Sequence, residues 1–258
     1  MKTTIKVLSF AAILAVAAAP AAFADTVDGH NTSLGGPGVY YGNTTFDGGW
    51  TTINVTGTGT DKTTLQLGLE AITRFVGPIT PSSNDYTYQL GPSALDPTHP
   101  SLASWDFAFS VNTGSDPLSD FSYSISVTDD VTHASTSFDP TALPDNGQAN
   151  SGGVVCHGTT SSPCPYNGAN NGMQNAENLG FSFLATDLAF SNLNAHGYTI
   201  SLTAKPILGL TDFTDPSVSI DVIPPAVIPP AVPEPSSLML LGTGLMSVVG
   251  VARRKFKA

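Results

Sequence analysis

The sequence predicts an all-β protein: an antiparallel β-sandwich or jelly-roll-like body between an N-terminal signal peptide and a single C-terminal transmembrane helix. Three observations carry this expectation. Several short runs place an apolar residue at every second position, the mark of a strand with one buried face. Twenty-five Gly and 20 Pro, with Ser, Thr, Asn and Asp, separate those runs, and none is a convincing long amphipathic helix. Two long apolar stretches lie near the two ends of the 258 residues.

Residues 1–24 have the order of a secretory signal. Lys2 and Lys6 precede an apolar run from Val7 to Ala19. Ala22-Phe23-Ala24 then offers small residues at the −3 and −1 positions, which predicts Sec-dependent export and signal-peptidase cleavage between Ala24 and Asp25.

The body is expected over residues 25–223. Alternating runs occur at Thr51–Thr56, Thr64–Leu69, Tyr86–Leu90, Ser104–Val111, Phe121–Val127, Gly180–Leu184, Tyr198–Thr203 and Val218–Val222. Asn112–Asp120, with Gly and Pro, reads as a hairpin loop between the two clearest runs. A short helix near Leu67–Phe75 is a competing reading of that stretch. Residues 224–232 form a Pro-rich linker, an extended and semi-rigid spacer.

Charge is distributed unevenly. Between Asp25 and Val232 there are three basic residues, Lys62, Arg74 and Lys205, against 19 acidic ones, a net charge of −16. Such a body repels nucleic acid and anionic lipid and is compatible with neutral sugars, cations or simple solubility. The remaining basic residues sit in the terminal segments.

The C-terminal segment, residues 233–258, has three parts. Pro233, Glu234 and Pro235 come first, and their prolines hold the chain extended. Residues 236–252 follow without a charge, a helix about 25 Å long that would just span a thin bilayer. Arg253, Arg254 and Lys255 open the basic tail 253–258, which the positive-inside rule keeps cytoplasmic.

This order resembles the PEP-CTERM sorting domain of exported proteins in Gram-negative bacteria. The resemblance covers about 25 residues and says little about the body. It implies that an exosortase, a membrane-embedded Cys transpeptidase-like enzyme, recognises the segment and cuts near Pro233–Pro235. It further implies an inner-membrane-anchored precursor, then a cell-surface or extracellular protein associated with exopolysaccharide and biofilm matrix.

Chemistry-bearing residues in the body are sparse. Cys156 and Cys164 are the only cysteines, lie in a Gly/Ser/Pro loop of an exported chain and predict a disulfide. His157 beside Cys156 makes only a weak metal set. The histidines His30, His99, His133, His157 and His196 form no zinc-hydrolase motif, and there is no Gly-x-Ser-x-Gly elbow. Gly57-Thr58-Gly59 lacks the third glycine of a nucleotide loop.

Asp129-Asp130 and Asp212–Asp215 are the nearest approaches to a glycosidase carboxylate pair, although adjacent acids in loops are commonly turn residues. Calcium would suit oxygen-rich exported loops, but no EF-hand spacing is present. Tyr40-Tyr41 and Trp50 are candidate sugar-stacking rings with core packing as the alternative. The expectation is a non-enzymatic surface protein with no metal, cofactor or catalytic residue. Its alternatives are a carbohydrate- or calcium-binding module and, behind those, a glycan hydrolase.

Overall fold

The computed structural model describes residues 26–28, 39–41, 44–46, 49–57, 64–150, 153–156, 163–207 and 215–226. The chain divides into two units, Met1–Pro224 and Pro225–Ala258, and both large sheets lie in the first.

One antiparallel sheet runs in the spatial order β1 (Thr26–Asp28), β4 (Trp50–Thr56), β5 (Thr64–Thr73), β8 (Trp105–Asn112), β13 (Gly172–Glu177), β11 (Gly147–Asn150) and β12 (Gly153–Cys156). β6 (Gly77–Pro78) folds back on β5. The second sheet runs β10 (Ser135–Phe138), β9 (Phe121–Asp129), β14 (Tyr198–Pro206), β15 (Ser217–Ile223) and β7 (Asp85–Thr87), with β7 parallel to β15. β2 (Val39–Tyr41) and β3 (Thr44–Phe46) pair separately, and β2 approaches β13.

The two sheets face each other across one apolar core. Leu65, Leu67 and Leu69 of β5 and Phe107, Phe109 and Val111 of β8 meet Ile125 and Val127 of β9, Ile200 and Leu202 of β14, and Val218, Ile220 and Val222 of β15. All of these are buried. In β9 and β14 the alternation works as anticipated: apolar and aromatic residues turn inward, and Ser and Thr turn outward. Among the described residues, the body is an all-β sandwich with one short α-helix.

Three local expectations are corrected. β8 and β9 are not a hairpin, because they belong to different sheets, and the chain between them crosses from one sheet to the other with a 3-10 turn at Leu118–Asp120. Alternation reports which face is buried; it carries no information on the partner strand. The helix near Leu67–Phe75 is absent; Leu67–Thr73 belong to β5, followed by a turn, because Leu67, Leu69 and Ala71 at period two all enter the core.

Gly180–Leu184 is not a strand either. It leads into α1 (Ser182–Leu188), whose Leu184 and Leu188, four residues apart, are buried. Ala189 closes α1 in the left-handed conformation at φ 48°.

Candidate functional site

The residues expected to carry sorting lie outside the described residues: Ala24 and Asp25, Pro233, Glu234 and Pro235, the helix 236–252, and Arg253, Arg254 and Lys255. Among the described residues, no helix is long and apolar enough to cross a membrane.

In the body, Cys156 at the end of β12 and Cys164 form the anticipated disulfide, with Cα atoms 6.2 Å apart. Its anchor is Gln148 on β11, a fully buried amide that sequence reading did not single out. Gln148 Nε2 donates to the Pro165 carbonyl at 2.8 Å and lies 3.2 Å from both the carbonyl O and Sγ of Cys164. Its Oε1 accepts from Asn167 N at 2.8 Å and Asn170 Nδ2 at 3.0 Å. Buried polar groups need such partners, so the amide and the disulfide together tie the loop to the sheet edge. His157 lies outside the described residues. Among the described residues, no group of three or more His, Cys, Asp or Glu side chains is arranged to hold a metal.

Asp129 and Asp130 act as turn residues in this geometry. Asp129 Oδ1 accepts from the N–H groups of Val131 and Thr132, both at 2.8 Å, and Oδ2 lies 2.7 Å from His196 Nδ1. Burial pushes the Asp129 carboxyl upward, but the Thr132, His196 and Val131 hydrogen bonds together hold its pKa below the ordinary value. Tyr88 braces the same loop by donating to the His196 carbonyl at 2.9 Å; burial pushes its phenol up to about 12. Asp130 Oδ1 accepts from Thr199 Oγ1 at 3.0 Å. Asp212 is outside the described residues, and Asp215 sits exposed 4.0 Å from Lys205 Nζ. Trp50 is fully buried, so it is a packing residue and not a sugar platform.

A second buried polar cluster was not legible as a motif. Arg74, at the end of β5, donates from Nη1 to Asp106 Oδ1 at 3.0 Å and from Nε to Asp96 Oδ2 at 3.2 Å. Asn178 Nδ2 donates to the same Asp106 oxygen at 2.7 Å and to the Trp105 carbonyl at 2.9 Å. Asn178 Oδ1 accepts from Ala103 N at 2.9 Å and Gly180 N at 2.8 Å. The two carboxylates on Arg74 shift in opposite directions. Asp96 is held below its ordinary value, first by the His99 hydrogen bond, whereas burial pushes Asp106 up against the pull of Arg74 and Asn178.

Nearby, Glu177 is 3% exposed and raised well above the ordinary range, by burial first and then by the charges of Asp145 and Asp106. The one available signal was the rarity of Arg74 in so acidic a chain.

Aromatic rings flank this knot. The Arg74 guanidinium carbon is 4.6 Å from the Phe75 ring centroid and 5.9 Å from that of Phe181. Phe181 stacks near Phe183 at 6.5 Å, and Phe183 meets Phe138 edge-on at 5.3 Å. Phe75 is 60% exposed and holds φ at +61° in the turn between β5 and β6. A bulky residue there is disfavoured by about 1–2 kcal/mol, a position where Gly or Asn is the usual choice.

A crevice lined by Tyr88, Trp105, Phe190, Asn192 and Asn194 is too narrow to seat a water molecule. The side-chain arrangement there is packing, with Asn192 Nδ2 donating to the Leu102 carbonyl at 2.9 Å.

No curated protein matches the chain. Residues 231–255 match the family described as the PEP-CTERM protein-sorting motif, a span that includes Pro233, Glu234 and Pro235 together with Arg253, Arg254 and Lys255. The C-terminal segment is thus a PEP-CTERM sorting motif, and it marks this β-sandwich chain as an exported protein sorted at the membrane.

Proposed function

We propose that the chain is a non-enzymatic surface or matrix protein. An exosortase cuts it near Pro233–Pro235 after the signal peptide has been removed before Asp25. The observation that carries this reading is the sorting motif over residues 231–255. The prolines at 233 and 235 present an extended segment, the form in which a protease-type site takes its substrate. The helix 236–252 and the tail from Arg253 hold the precursor in the inner membrane with the body outside. Once cut, the acidic body is released to the cell surface or matrix, in the company of exopolysaccharide and biofilm.

The test is the intact mass of the protein from surface or culture material, set against that of the membrane fraction. The expected mass in the first begins at Asp25 and ends between Val232 and Pro235. A mass retaining Arg253–Ala258, found only in membranes, overturns the reading and leaves a tethered protein in its place.

A further inference from the structure

We infer that the ring cluster Phe75, Phe181, Phe183 and Phe138, in which Phe75 and Phe181 are linked through the Arg74 guanidinium, is a docking surface for a neutral polysaccharide. It joins three segments remote in sequence: the β5–β6 turn, the end of β10 and the start of α1. Phe75 is 60% and Phe183 42% exposed, so core packing does not account for either ring. Phe75 also occupies a left-handed position that glycine would fill without strain.

The identity of the occupant follows from charge and from the rim. A body of net charge −16 repels polyanions and anionic lipid, and it repels a second copy of itself. Arg74, the cation linking Phe75 and Phe181, is held by Asp96 and Asp106 and attracts no anion from outside. The exposed rim carries Ser182, Thr186 and Asp187 on α1. Thr136 Oγ1 donates to Asp187 Oδ2 at 2.9 Å, which fixes that carboxylate beside the cluster. A pyranose ring offers an apolar C–H face to the phenyl rings and hydroxyls to this rim. The inference rests on the matrix reading only in expecting saccharide around the exported protein.

The full chain in mild detergent is co-sedimented with amorphous cellulose and insoluble mannan as neutral glycans, and with an alginate gel as the acidic one. Retention on a neutral glycan is expected, insensitive to salt, and at least tenfold weaker in Phe75→Gly and in Phe183→Ala. Phe75→Gly relieves the backbone, so the fold is retained while the ring is lost. Val131→Ser, a 59%-exposed residue in the turn at the other end of β10, should bind like the parent.

Absence of retention on both neutral glycans, preference for alginate, or retention that both Phe variants leave unchanged overturns the proposal. So does self-association in sedimentation velocity that Phe75→Gly abolishes without any glycan retention. Each of these readouts is separate from the intact mass, so either reading can fail alone.

Discussion

The outer faces of the two sheets differ in what covers them. On the five-stranded sheet, Ser122, Ser124, Ser126 and Thr128 of β9 lie beside Lys205, Thr203, Ser201 and Thr199 of β14, all at least partly open to solvent. On the eight-stranded sheet, β8 is buried from Trp105 through Val111, including the residues that point away from the core. Asp106, Ala108 and Ser110 are all covered there, and Gln174 Nε2 donates to Ser110 Oγ at 2.8 Å. Substitution is nearly free on the first face and disruptive on the second, because a covered polar atom has no water to fall back on.

The largest expected effect comes from the covered face. Asp106→Ala leaves the mostly buried Arg74 guanidinium with Asp96 alone as its counter-charge and takes from Asn178 Nδ2 its shortest acceptor. Removing one member of a buried pair typically destabilises by 3–5 kcal/mol, so a loss of about that size is expected in urea unfolding. A loss below about 1 kcal/mol would mean that the Arg74 knot is effectively solvated and that the contrast between the faces is wrong.

The disulfide comes next. Replacing Cys156 and Cys164 together by Ser reopens a short loop, with an expected loss of about 2–3 kcal/mol. Gln148 limits the damage to the β11–β12 edge, so hydrogen exchange should rise there and remain unchanged in β9 and β14. Increased exchange across both sheets would show that the loop supports the whole sandwich.

The same contrast explains how much was legible beforehand. β9, β14 and β15 alternate cleanly because one face is wet, and their positions could be read directly from small hydroxyl residues at every second position. β13, Gly172–Glu177, has Met173 as its one large apolar residue, and its buried Gln174, Asn175 and Glu177 look like a loop. β11 was hidden for the same reason, since its buried centre is Gln148 and Ala149. The Arg74 knot draws on residues 74, 96, 106 and 178, a spacing that only the folded sheet order brings together. The disulfide and the sorting motif were legible because each is local in sequence and chemically distinctive.

Glu177 gives a prediction of opposite sign. Its folded pKa is raised, so between the ordinary value of 4.5 and the folded value the unfolded chain gives up its proton first. Stability from this group therefore falls as pH rises through that window. Glu177→Gln removes the penalty and should stabilise the protein by about 1–3 kcal/mol at neutral pH, with the gain vanishing below pH 4.5. Asp129 and Asp96 run the other way. Their folded values are lowered, so their contribution is complete above the ordinary value of 3.8 and lost as pH falls through the folded values. The difference between variant and parent melting curves isolates Glu177, because the lowered pair is common to both. A gap that stays constant from pH 4 to 8 would place Glu177 in contact with water.

The smallest expected change tests the wet face itself. Ser124 is exposed on β9, opposite Thr203 of β14, whose hydroxyl already pairs with Ser217 at 2.9 Å. Ser124→Val leaves no buried group unpaired and favours the strand, so the stability change should stay within about 0.5 kcal/mol. Ala108→Val adds a similar branched side chain on the covered face. Ala108 is fully buried, with Glu70 and Ala176 at its two cross-strand positions and Trp50 packed in the same small cluster. The added methyls have no space to enter, and overpacking there should cost about 1–3 kcal/mol. Both substitutions introduce valine into a central strand, so propensity largely cancels between them and what remains is the presence or absence of a cover. Equal effects from the two would remove the distinction between the sheets. A larger effect at Ser124 would reveal a partner already seated on the hydroxyl face.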